Sequence, residues 1–206
     1  MPFETNVFVN CPFDSEYLDL LRPTLFTILA LGFEPRIALE RADGAEVRME
    51  KIIELINESR FAVHDLSRLR ATKAKEYYRL NMPFELGVDY GSRLYGGGRF
   101  AAKRILILED SANELKKALS DLAGSDVEAH NKQPIRIPKI IRDWLAQSLP
   151  DSPAPPSEIW GRFNDFTAAN YVALKARNYS DQDIAEQPIR ELITSMRNWL
   201  LPPPTA

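Results

Sequence analysis

The sequence predicts an α/β fold: a doubly wound, flavodoxin-like and mostly parallel sheet of five strands, with a C-terminal helical extension. Three observations predict it. Short strand-like apolar runs alternate with longer helix-period runs over residues 1–149. A proline-rich stretch, "PDSPAPPSE" (150–158), then breaks the pattern. Beyond it, residues 157–206 show helical periodicity alone.

"NVFV" (6–9) is the first strand, closed by the proline-containing loop "NCPFD". Residues 15–31 read as a helix, with Pro23 marking a kink or second start and Gly32 a fitting stop. "FEPRIAL" (33–39) reads as an edge strand because Pro35 lacks a ladder donor. "RADG" (41–44) is a turn. Val47, Ile52, Leu55 and Ile56 place a helix over 47–56, and "RFAVHDLS" (60–67) is a buried strand. A basic stretch over 68–79 leads into "NMPFELG" (81–87), which reads as a helix opened by its proline. "RILILED" (104–110) is the clearest strand. Helices are expected around 112–122 and 136–148, with a weak fifth strand at 126–130. In the tail, Ile159, Phe163, Phe166 and Leu174 share one helical face. Ser180 and Asp183 form a capping-box pattern, and a last helix runs from about Pro188 to Leu200. The extension is expected to serve as an oligomer contact or a cap over the cleft.

With 206 residues, 45% hydrophobic, 27% charged and a formal charge of −3, the chain has an ordinary globular composition. That charge exerts no general pull on nucleic acid or anionic membranes, and no direct nucleic-acid binding is expected. No apolar run is of bilayer length and no signal core opens the chain, so a cytoplasmic protein without membrane contact is expected. A single cysteine, Cys11, excludes an internal disulfide within the sequence. Two histidines, with no dinucleotide fingerprint and no phosphate-loop lysine motif, predict neither a metal nor a bound cofactor.

Ligands of such sheets sit beyond the carboxyl ends of the strands, so the residues there are the candidates. Strand one ends at Asn10, Cys11, Pro12, Phe13 and Asp14, and strand three at His64, Asp65 and Ser67. Glu85 is expected in the first turn of the "NMPFELG" helix, where the helix dipole lowers a carboxylate's pKa and keeps it charged. An ionised carboxylate at a cleft mouth suits a cationic sugar carbon. Asp65 is the second candidate, as a hydrogen-bond partner of ribose hydroxyls or of a leaving base. Asn81, Met82, Asp89 and Arg48 are the further ligand candidates. Asp89 also reads as a surface partner of Arg93, one turn on. Gly87 and Gly91 read as close packing of this helix on the sheet. A Cys11–His64 dyad is disfavoured, because His64 and Asp65 point to opposite faces of one strand and a lone core cysteine is usually inert. Arg68, Arg70, Lys73, Lys75 and Arg79, with Tyr77 and Tyr78, read as a solvated loop or a lid over phosphate and base.

"NVFVNCPFD", "IIELINESRFAVHDLS" and "NMPFELGVDYG", in this order, resemble the nucleoside 2-deoxyribosyltransferase-like and TIR-like superfamily. More narrowly they are similar to bacterial TIR-like nucleotide-binding proteins that often occur near anti-phage defence genes. The resemblance spans residues 5–148. It implies that Glu85 attacks or stabilises the anomeric carbon while an N-glycosidic bond breaks, and that Asp65 contacts sugar or base. It also implies that residues 10–13 form a ligand loop. The expected activity is N-glycosidic cleavage of a nucleoside, nucleotide or NAD, in a homo-oligomer that binds a nucleotide or NAD-like small molecule. A non-catalytic nucleotide sensor is the alternative. A phospho-acceptor role for Asp65 is the third reading, disfavoured by the missing acidic pair after strand one.

Overall fold

The computed structural model describes residues 3–40, 44–68, 80–122 and 124–201. The turn expected at 41–44 lies mostly outside these residues. So do the basic stretch beyond Arg68 and the terminal "PPPTA" expected to fray.

Five strands form one all-parallel sheet: β1 (Asn6–Asn10), β2 (Glu34–Arg36), β3 (Phe61–Asp65), β4 (Arg104–Glu109) and β5 (Val127–Ala129). Their order is β2-β1-β3-β4-β5, the doubly wound order expected. β1 and β3 are neighbours that feed helices on opposite faces, so the crevice of such a fold opens at their carboxyl ends. β2 is an edge strand, as Pro35 required, paired with β1 through Val7.

Two helices cover one face of the sheet: α1 (Leu18–Ala30), entered through a 3-10 turn at Ser15–Tyr17, and α5 (Arg136–Ala146). Pro23 sits inside α1 without ending it, and Gly32 at φ 81° supplies the left-handed stop that other residues resist. Across the sheet lie α2 (Arg48–Asn57) and α3 (Asn81–Tyr95). The helix expected at 112–122 is reduced to α4 (Leu115–Ala118) and a 3-10 turn at Ser120–Leu122.

Among the described residues the tail holds three helices, where two were expected: α6 (Pro156–Ala176), α7 (Asp181–Ala185) and α8 (Ile189–Leu200). The Ser180–Asp183 capping box is formed at α7. Ile159, Phe163, Phe166 and Leu174 are the buried residues of α6, as their spacing indicated. α6 and α8 pack on α1 and α5 as a further layer. α8 also meets the turn at Ala38–Glu40, which follows β2. Phe26 of α1 joins the layers, with its ring 5.6 Å from Phe163, 5.7 Å from Phe166 and 5.9 Å from Trp199. Arg142 of α5 holds the intervening linker through the carbonyls of Pro153 and Ala154. One apolar core therefore runs from the sheet into the extension.

Shared core rings make the two parts one cooperative unit. Phe26→Ala is expected to lower stability by about 3–5 kcal/mol through the cavity it leaves. Denaturant unfolding should stay a single transition whether followed by tryptophan fluorescence or by circular dichroism. Two separate transitions would contradict the shared core.

Candidate active site

Side chains alternate along a strand, so His64 and Asp65 at the end of β3 face opposite sides of the sheet. Each anchors its own buried polar network.

On the α3 side, register places Asn10 of β1 directly beside His64. Asn10 Nδ2 lies 3.0 Å from His64 Nδ1 and donates to the Met82 carbonyl at 3.1 Å. Because that nitrogen is a donor, His64 Nδ1 accepts, and the imidazole proton resides on Nε2. Nε2 then donates to Asp89 Oδ2 at 3.0 Å. The other Asp89 oxygen pairs with Lys103 Nζ at 3.0 Å. Lys103 Nζ also donates to the Ile56 carbonyl at 2.7 Å, at the end of α2. Asp89 is fully buried, not a surface partner of Arg93. Arg93 is exposed, whereas the α3 stripe holding Met82, Leu86 and Asp89 faces the core. Burial alone would raise the Asp89 carboxyl. Hydrogen bonds from His64 and Lys103, with the Lys103 charge, outweigh it and hold the carboxyl below its ordinary value. Asp89 therefore braces α3 and does not face a ligand.

α3 begins at Asn81, two residues before the proline expected to open it. The first four amides of a helix have no intrahelical acceptor, so the missing N–H of Pro83 costs nothing at the third position. Glu85 is consequently the fifth residue, one turn in, where the terminal dipole has faded. It is 6% exposed. Among the described residues no hydrogen bond or ion pair engages its carboxylate. Burial raises its pKa, and the charge of Arg48 only partly offsets this. The lowered pKa expected from the dipole is thus corrected: the carboxyl is pushed up. Gly87 and Gly91 also differ from expectation. A Cβ at either meets nothing within 4 Å, so they pack closely against nothing. Their side of α3 looks outward, with Phe84, Leu94 and Tyr95 exposed beside them.

On the α1 side, Asp65 is fully buried and surrounded by donors. Tyr17 Oη donates to Oδ2 at 2.5 Å and the Ser67 amide to Oδ1 at 2.9 Å. The Ser67 hydroxyl also donates to Oδ1, and His130 Nε2 lies 3.1 Å from Oδ2. Burial pulls the Asp65 carboxyl upward, but these donors, His130 first among them, prevail and hold it below its ordinary value. Such an enclosed, donor-saturated carboxylate has no free lone pair to offer a phosphoryl group, which weighs against the phospho-acceptor reading.

Cys11 links the two sides. Its buried thiol is raised well above its usual range by desolvation first, then by the charges of Asp65, Asp14 and Glu85. It is a neutral thiol, unsuited to nucleophilic attack. Asp14 caps the Ser15–Tyr17 turn and pairs with Arg68 at 2.7 Å. Pro12 is buried, and Phe13 is half-buried against the core. Met82 packs with Leu66, Leu86 and Ile107, while Asn81 and Arg48 are exposed. A cavity of about 530 Å³ opens on the α1 side, lined in part by Tyr17, Ser67, Arg68, His130 and Lys132. Glu85 is not among its lining residues. Cys11 thus feels the charges of both Glu85 and Asp65, and Glu85 that of Arg48, but Glu85 and Asp65 lie on two sides of the β3 plane.

Tyr17, Ser67 and His130 were missed as Asp65's partners. Ser67 and His130 follow strands, and that position was the available signal. Tyr17 lies inside a helical pattern and gave none. Among the described residues, no group of three or more His, Cys, Asp and Glu side chains is placed to hold a metal ion. None of the described helices is long and apolar enough to cross a membrane. No family model, curated protein or solved structure matches the chain.

Asp89→Asn leaves the Lys103 ammonium without its buried counter-charge and His64 Nε2 without its carboxylate acceptor, and is expected to cost about 3–5 kcal/mol at neutral pH. The Asp89 pKa is depressed in the folded state, so its contribution is full above the unfolded value and fades as pH falls through the folded one. The stability gap between wild type and variant, read by urea titration, should therefore narrow on acidification. A gap that widens would contradict the network.

Proposed function

We propose that the chain cleaves the N-glycosidic bond of a nucleoside, nucleotide or NAD-like molecule, with Glu85 as the carboxylate at the anomeric carbon. The observation that carries the reading is a buried glutamate with no partner among the described residues, at the switch point of a doubly wound sheet. An unpartnered buried carboxylate is costly and rarely kept for stability alone. As the base departs with the bonding electron pair, the sugar carbon becomes cationic, and that charge supplies the counter-ion Glu85 lacks. The carboxylate is then better matched to the transition state than to the empty site, which is the requirement for catalysis. Water completes the reaction by bonding to the same carbon and giving up a proton, to the departed base or, where the base leaves neutral, to solvent. Asp65, held ionised beside Cys11, adds negative potential near that carbon.

A nucleotide sensor without catalysis is the second reading. One observation favours it: a carboxyl raised by burial holds its proton more readily and can donate to a ligand oxygen.

Chromatography of NAD, nucleosides and nucleotides after incubation decides between them. Base release by wild type, reduced at least a hundredfold in folded Glu85→Gln, is expected. Saturable nucleotide binding without base release would favour the sensor. Equal release by both proteins would refute the role of Glu85.

A further inference from the structure

His130 follows β5 and lines the cavity on the α1 side. Its turn is built at a conformational cost. Asn131 and Lys132 both have φ of 54°, a left-handed conformation unfavourable to two successive non-glycine residues. The turn is fastened by the Asn131 amide donating to the Asp110 carbonyl at 2.8 Å and the Gln133 amide to the His130 carbonyl at 3.0 Å. Its result is specific: the Lys132 amide donates to His130 Nδ1 at 3.0 Å. Nδ1 is thereby an acceptor, and the ring proton is placed on Nε2. Nε2 points at Asp65 Oδ2, 3.1 Å away, and at Ser67 Oγ, 2.8 Å away.

Ser67, His130 and Asp65 are the residue types of a nucleophilic triad, but the wiring excludes one. A base must accept the serine proton through an unprotonated nitrogen, while its other nitrogen faces the carboxylate. Here one protonated nitrogen faces both groups, and the serine hydroxyl donates to Asp65. The cluster is a clamp on a carboxylate.

We propose that His130 is a positioning residue. Locked in one tautomer by the strained Asn131–Lys132 turn, it fixes the orientation and charge of Asp65 at the substrate crevice. The proposal rests on the N-glycosidase reading for its effect on rate, but not for the clamp itself. Among the described residues four groups face Asp65: Tyr17 from the turn before α1, Cys11 from the loop after β1, Ser67 after β3 and His130 after β5. Arg68, Asp14 and Glu85 act on this cluster through charge. Of these, His130 contributes most to holding the carboxyl down. Without it, the burial that opposes ionisation is less fully balanced, and the Asp65 carboxyl rises.

The test uses His130→Leu, which removes the donor, and His130→Gln, whose amide places a donor near the Nε2 position. Carbon-13 titration of the Asp65 side-chain carboxyl reads the clamp without substrate. The expected result is a midpoint raised by at least one pH unit in His130→Leu and returned toward wild type in His130→Gln. If base release is observed, the acid limb of kcat/KM should move to higher pH in His130→Leu and recover in His130→Gln. Titration that shifts as expected in a protein releasing no base would keep the clamp and discard the glycosidase reading. An Asp65 midpoint equal in folded His130→Gln, His130→Leu and wild type would overturn the clamp. Should His130→Leu fail to fold, nitrogen-15 shifts of the wild-type imidazole decide: a ring proton on Nε2 alone supports the clamp, and one on Nδ1 overturns it.

Discussion

The site depends on one buried counter-charge. Asp89 takes a proton donor from His64 on one oxygen and the Lys103 ammonium on the other, in a layer that water does not reach. Lys103 ties this carboxylate to the end of α2, and His64 ties it through Asn10 to the Met82 carbonyl at the start of α3. The line crosses from the foot of the sheet to its carboxyl edge. A helix braced in this way resists rotation, because any turn of α3 strands a buried charge. Glu85, one turn before Asp89, inherits that fixed orientation.

Two carboxyls on opposite sides of β3 are driven in opposite directions by their surroundings. Asp65 has donors from Tyr17, Ser67 and His130 and is held ionised. Glu85 has none among the described residues and is pushed toward its neutral form. Separated carboxyl environments of this kind divide roles between neighbouring acids. Asp65 is a fixed negative charge. In the proposed reaction, Glu85 is the group whose state a bound cationic centre changes. Cys11, pressed by both charges, is kept as a thiol and left out of the chemistry.

Much of the fold was legible because it is written in local patterns. Strand runs around 6–9, 60–67 and 104–110 and the tail positions Ile159, Phe163 and Phe166 need only periodicity to be read. The opposed directions of His64 and Asp65 follow from strand alternation alone. What could not be read depends on distance in sequence. Asp89 sits four residues before Arg93, so pairing on the helix surface was the local expectation. Its true partners are 25 residues upstream and beyond the end of the helix. Glu85 was placed two residues too near the helix start because proline usually opens a helix, and two residues of α3 precede it. That shift exchanges dipole stabilisation for burial and reverses the direction of the pKa. The part of the extension in the core, through Phe26, is invisible to any pattern within residues 157–206.

The central claim is that Glu85 is held in the fold without a partner, at a cost to stability. A carboxyl whose folded-state pKa is raised destabilises the protein as pH rises through its unfolded and then its folded value. Chemical denaturation of wild type and Glu85→Gln from acid to neutral pH tests this most directly. The account predicts that the amide variant is the more stable protein at neutral pH, with an advantage that shrinks on acidification. A Glu85→Gln protein less stable than wild type at neutral pH would show that the carboxylate has a partner, and would contradict the account.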